Sequence, residues 1–224
     1  LPKCSYHLIH FDFSSNGRPF MTNRTDLGPS ISIIDAKDHQ RLQIPQKAPG
    51  MPHKTLGHHK APMGNGGTQR KILQDKCTKT ANRIMRSSLN SHEARVYYDS
   101  VFLRSVNYVL PQCFFSPSDL RSIGSKAQQA FVVKCGFSRT MSLEVRYGPK
   151  ELGGAGFLTF ETLQGEGQLL NLLKHLRTSS NISCVLKSTL AWAQLVAGVH
   201  EPILEHPSLR LPHLEGRLFP SVRK

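Results

Sequence analysis

The sequence predicts an α+β fold in which short N-terminal β-hairpins feed a bundle of helices. Loose alternation of apolar residues, turn dipeptides and prolines fills roughly the first 66 positions. From Thr68 onward, apolar residues recur instead at three- and four-residue spacing. Two helix-start signals, Asn90-Ser91-His92-Glu93 and Ser116-Pro117-Ser118-Asp119, punctuate that second stretch. Strand patterning that gives way to helix patterning, without βα alternation, is the α+β arrangement.

Residues 1–20 alternate around Tyr6, Leu8, Ile9, Phe11 and Phe13 and read as a hairpin, with Asn16-Gly17 as its tight turn. Ile31–Ile34 and Arg41–Ile44 form a second short pair, followed by Pro45, Pro49 and Pro52. Residues 54–60 read as one short strand running into the glycine-rich turn 64–67. A helix is expected over 68–89, with Leu73, Cys77, Ala81 and Ile84 on one side. Asn90 caps a second helix that reaches about Leu110 and stops at Pro111. Its tyrosines and phenylalanines sit at helical spacing and read as core. Ser116, with proline at the first helical position and an acid at the third, starts a helix that buries Leu120, Ile123, Ala127, Ala130 and Phe131. Residues 147–157 read as loop, then helices over 168–176 and 183–199, the latter centred on Trp192 and Leu195. Four prolines make the tail from Pro202 extended.

The 224 residues suffice for one large or two small domains. The formal charge is +14, and it is uneven. Residues 68–150 carry 14 basic and 5 acidic side chains, against 7 and 6 over 151–224. A polyanion is therefore expected at the middle third, nucleic acid before anionic membrane. Five scattered cysteines without a Cys-x-x-Cys pair argue for reduced thiols in an intracellular compartment. No uninterrupted apolar run approaches membrane-spanning length. Opening on Leu1, the chain reads as a piece of something longer.

The sharpest candidate for function lies on the helix over 68–89. Lys76, Lys79, Arg83 and Arg86 form a stripe beside the apolar seam. Such a row suits a phosphate backbone, which binds cations with little regard for sequence; an ordinary solvated face gives the same pattern. Other chemistry is poorly served. Asp35 and Asp38 fit a turn, and Asp12 the open face of a strand. His53, His58 and His59 cluster in sequence, but adjacent strand residues point to opposite faces and no cysteine lies nearby for zinc. Residues 148–156 do not match the phosphate-loop pattern and suit a turn that needs close backbone approach. Cys113 and Cys135 lack a neighbouring base.

The stretches LPKCSYHLIHFDFSSNGRPF, HKTLGHHKAP and YGPKELGGAGF, with the helices between them, resemble the C-terminal part of reverse transcriptases encoded by eukaryotic retrotransposons. The resemblance covers most of the chain and is most specific at 1–20, 54–62 and 147–157. It implies late-palm strands and a primer-grip-like segment over 1–66, a basic thumb-like region over 67–146, connection-like helices over 147–200 and a proline-rich tail over 201–224. Lys3 matches the family's late-palm lysine, a candidate proton donor to the leaving pyrophosphate. Leu56 and Gly57 match the primer-grip strand. Pro149, Gly153 and Gly154 match a turn after the thumb to which no chemistry is assigned. His58 stands where an apolar residue is usual. The implied partners are an RNA template and a DNA primer, met by Lys76, Lys79, Arg83 and Arg86. The implied reaction needs Mg²⁺ held by two aspartates, which in the family precede the segment resembling 1–20. The chain alone is thus expected to be inactive, with no cofactor of its own. A non-catalytic nucleic-acid- or protein-binding module derived from a retroelement is the competing expectation.

Overall fold

Turn chemistry sets the N-terminal part of the chain. In the computed structural model, which describes residues 5–25, 28–34, 39–200 and 202, β1 (Phe11–Phe13) pairs antiparallel with β2 (Pro19–Met21), Asp12 opposite Phe20. The Ser14 carbonyl accepts from Gly17 N–H at 2.8 Å, and Gly17 lies at φ +72°. Ser14 N–H also donates to the Arg18 carbonyl at 2.9 Å, so a three-residue loop, 15–17, ending in the left-handed glycine closes this hairpin, one residue wider than the two-residue Asn16-Gly17 turn expected. β3 (Ser32–Ile34) pairs with β4 (Arg41–Gln43), Ile33 opposite Leu42. β5 (His53–Thr55) pairs with β6 (His58–Lys60). Residues 54–60 are therefore a hairpin and not the single strand expected. Leu56 (φ +48°) and Gly57 (φ +82°) both take left-handed backbone, as a two-residue type I′ turn requires. The three pairs are separate two-stranded sheets.

The chain divides into two units, Leu1–Ile72 and Leu73–Lys224. Within the first, backbone bonds do most of the tying. Tyr6 bridges Gln46, Lys47 N–H donates to the Tyr6 carbonyl at 2.9 Å, and Gly50 N–H donates to Asn23 Oδ1 at 2.9 Å. Lys3, Asp35, Asp38 and the tail beyond Pro202 lie outside the described residues.

Seven α-helices follow the hairpins among the described residues: α1 (Gly67–Arg86), α2 (Ser91–Tyr97), α3 (Leu103–Asn107), α4 (Pro117–Lys134), α5 (Leu143–Tyr147), α6 (Phe160–Arg177) and α7 (Asn181–Ala197). Both expected start signals work as capping boxes. Asn90 Oδ1 accepts from Glu93 N–H while the Glu93 carboxylate accepts from Asn90 N–H, each at 2.9 Å. Ser116 and Asp119 repeat the exchange at the start of α4. The second helix does run on past Tyr97, but through a π turn over Tyr98–Phe102 into α3. Ala94, Tyr98, Phe102 and Val106, four residues apart, are all buried. In a regular helix that spacing drifts about 40° per step. The wide turn, in which Leu103 N–H reaches the Tyr98 carbonyl, absorbs the drift and keeps all four on the core side.

The core of the second unit centres on Tyr98, Phe102, Phe131 and Phe157. The ring of Phe131 sits 5.1 Å from Tyr98 and 5.0 Å from Phe102, centroid to centroid. All five apolar residues expected on α4 are buried. So are Leu73, Cys77, Ala81 and Ile84 on α1, and burial pushes the Cys77 thiol up to about 12. α6 starts eight residues earlier than expected, where Thr159 caps it by accepting from Thr162 N–H at 3.0 Å. Its two interior glycines hide this start, and one of them, Gly167, lies against Pro111. α5 was not expected at all. Tyr108, read as core, is exposed. So are Trp192 and Leu195, on which the last helix was centred. No helix of the described residues is long and apolar enough to cross a membrane.

Candidate nucleic-acid interface

α1 has no acid in its first turn and two arginines in its last. That polarity suits the helix dipole, whose C-terminal end favours cations. With Leu73, Cys77, Ala81 and Ile84 buried, the opposite side of the helix is left to solvent. Lys79, Arg83 and Arg86 lie there, all exposed, within an arc of about 60° at 3.6 residues per turn. Among the described residues none of the three is ion-paired, unlike Arg95 with Asp99 and Arg121 with Glu161.

Lys76 departs from the expected stripe. Its Nζ donates to the Ser105 carbonyl at 2.7 Å, tying α1 to α3. Burial lowers its pKa from the ordinary lysine value. The helical wheel explains the difference: Lys76 lies about 60° from Leu73, nearer the apolar seam than the other three cations. The long side chain bends inward to a carbonyl instead of outward to water. Lys134 acts similarly. Its Nζ donates to the Ser87 carbonyl at 2.7 Å, just past the last turn of α1. Three cations therefore remain for a polyanion where four were expected.

The Leu56-Gly57 pair stands at the tip of the β5–β6 hairpin, with Leu56 84% exposed. Its place at a turn and not within a strand is a correction with a clear cause, since a left-handed leucine cannot continue a ladder. The histidines separate as the strand pleat requires. His58 is buried and His59 half-buried, while the His53 ring faces Ser5 Oγ at 3.2 Å. Burial, with Lys60 and His59 close by, lowers the His58 pKa. Among the described residues no three His, Cys, Asp or Glu side chains gather as a metal site. A magnesium ion thus finds no donor set among the described residues.

The glycine-rich segment after α5 is held by a group that sequence reading missed. Arg95, on α2, donates Nη1 to the Ala155 carbonyl and Nη2 to the Gly156 carbonyl, both at 2.7 Å. Its Nε pairs with Asp99 at 2.8 Å, and the guanidinium stacks 4.7 Å from the Phe157 ring centre. The Tyr98 hydroxyl donates to the Leu158 carbonyl at 3.3 Å and accepts from Leu158 N–H at 3.2 Å. Burial pushes that phenol's pKa up. Inside the loop, Gly156 N–H donates to the Gly148 carbonyl at 2.9 Å. A Cβ on Gly154 would stand 2.1 Å from that same oxygen, so the close approach expected of this turn does require glycine. Pro149, Gly153 and Gly154 thus shape a loop pinned to the core. The one available signal for Arg95 was its i,i+4 spacing to Asp99, which says nothing of a loop sixty residues away.

Apart from this latch, the described residues offer a helical row of cations and an exposed apolar hairpin tip. No protein-family model, curated protein or solved structure matches the chain.

Proposed function

We propose that the chain is part of an RNA-directed DNA polymerase of the retrotransposon type, and that it contacts an RNA template–DNA primer duplex through Lys79, Arg83 and Arg86. The observation that carries this reading is their shared exposure on one side of α1, with no ion pair to any of them among the described residues. From Lys79 to Arg86 the helix rises about 10 Å, over which one strand of a duplex presents about three phosphates. The surplus of basic residues over 68–150 acts in the same direction by drawing the duplex in. On the same reading, Leu56 at the hairpin tip reaches the primer end. Polymerisation itself needs carboxylates that these residues do not supply.

Fluorescence anisotropy with a labelled RNA–DNA duplex at several salt concentrations tests it. Three phosphate contacts predict a log–log slope of affinity against salt of about −2.7. Replacing Lys79, Arg83 and Arg86 together by glutamine should remove most of that slope. Lys76→Gln should leave it unchanged, because that ammonium is already held by Ser105. If the triple variant kept the full salt dependence, α1 would not be the interface.

A further inference from the structure

α7 is apolar on two sides. Ser183 and Ala193 are buried where it packs on α6. On another side Ile182, Val185, Thr189, Trp192 and Val196 are exposed, Val185 and Trp192 to 64% each, with Leu195 at 73% beside them. Lys187 is the only charged residue between Asn181 and Ala197. A helix with so little charge and apolar residues on more than one side is built to be covered. The spacing of the exposed set, alternately three and four residues, is that of a helix–helix seam.

We propose that this seam pairs with its counterpart on a second copy of the chain, the two α7 helices running antiparallel across a two-fold axis at Thr189. Such an interface needs one patch that complements itself, and the positions satisfy that requirement. Reversing the helix about Thr189 places Ile182 opposite Val196 and the smaller Val185 beside the bulky Trp192. Lys187 then falls opposite Ala191, so the lone charges do not meet, and the antiparallel helix dipoles attract. Weighted by exposure, Ile182, Val185, Trp192, Leu195 and Val196 offer roughly 500 Å² per copy, or about 1,000 Å² together, enough for a specific though modest dimer. The residues that follow α7 match the seam less well. Pro202, Pro207, Pro212 and Pro220 leave no proline-free run longer than seven residues, against the fifteen spanned from Ile182 to Val196. A membrane surface is disfavoured too, since it would want a basic polar face that α7 lacks.

Trp192 is the chain's only tryptophan, so its emission reports directly on whether the seam is covered. Sedimentation equilibrium and tryptophan emission are measured on the full chain without nucleic acid, from about 1 to about 100 μM, a range that brackets a micromolar dissociation constant. The expected result is a mass that doubles and an emission maximum that moves to the blue over the same concentrations. Thr189→Glu sets two like charges against each other at the axis and should leave a red-emitting monomer throughout. Thr189→Leu should tighten the dimer by about tenfold or more. A monomer at every concentration overturns the proposal, whether its emission is red or blue; blue emission from a monomer would assign the cover to the chain itself. A dimer that Thr189→Glu leaves intact overturns it as well.

Discussion

The two units of this chain are held by different forces. In Leu1–Ile72 the described residues bury Ala48, Pro49 and Ala61 but leave Phe11, Phe13, Phe20 and Ile34 exposed. Three separate hairpins and a set of backbone bonds carry the structure there. Leu73–Lys224 has the reverse character. Its helices close over a continuous apolar core in which the Tyr98 ring meets Phe102, Phe131 and Phe157. Two-stranded hairpins without an apolar face are marginal in water, whereas buried aromatic clusters dominate core energetics. The difference teaches where substitutions will be felt: at side chains in the second unit, and at turns and backbone partners in the first.

The largest effect should come from the centre of the core. Phe131→Ala removes a ring that meets Tyr97, Tyr98 and Phe102. It should cost about 3–5 kcal/mol, read from amide hydrogen exchange in increasing urea, which follows each unit by its own amides. Phe13→Ala, which removes a ring already 71% exposed, should change stability by no more than about 0.5 kcal/mol. Similar losses for the two would break the comparison.

A middle-sized effect belongs to the latch on the glycine-rich loop. Arg95→Met keeps some of the packing on Phe157 but leaves the Ala155 and Gly156 carbonyls without their donor and Asp99 without its partner. The expected cost is about 2–3 kcal/mol. Hydrogen exchange should accelerate first at 154–158. Arg95→Lys should recover only part of the loss, because one ammonium cannot reproduce the fork that spans both carbonyls. Unchanged exchange at 154–158 would show that the loop is held by its internal bonds alone.

Much of this was legible in the residues, for a physical reason. Capping boxes and apolar seams are local, so Asn90-x-x-Glu93, Ser116-x-x-Asp119 and the Leu73–Ile84 seam announce themselves. Long-range partners do not. Nothing near Lys76 tells that the Ser105 carbonyl will accept its hydrogen bond, and nothing near Arg95 tells that the Ala155 and Gly156 carbonyls will accept from its guanidinium. The start of α6 was hidden by Gly165 and Gly167, which lower helix propensity. Nothing local tells that Trp192 and Leu195, at the centre of an apolar helix, stay exposed. On α1 the row of cations could be read, but which of them stay in solvent depends on the neighbouring helix.

The smallest effect falls in the first unit and should carry the opposite sign. Leu56 sits at φ +48°, a conformation that costs a branched L-residue about 1 kcal/mol and that asparagine tolerates. Leu56→Asn should therefore stabilise the β5–β6 hairpin by up to about 1 kcal/mol, seen as slower amide exchange across 53–60. The side chain is 84% exposed, so almost no packing is lost in return. Retention of a strained leucine at an open hairpin tip is what a contact made outside the unit would favour. If Leu56 reaches the primer end, the same substitution should weaken duplex binding while leaving its salt slope intact, because no charge is removed. A variant that gains hairpin stability and loses no affinity would confine Leu56 to the turn and leave α1 as the proposed nucleic-acid contact.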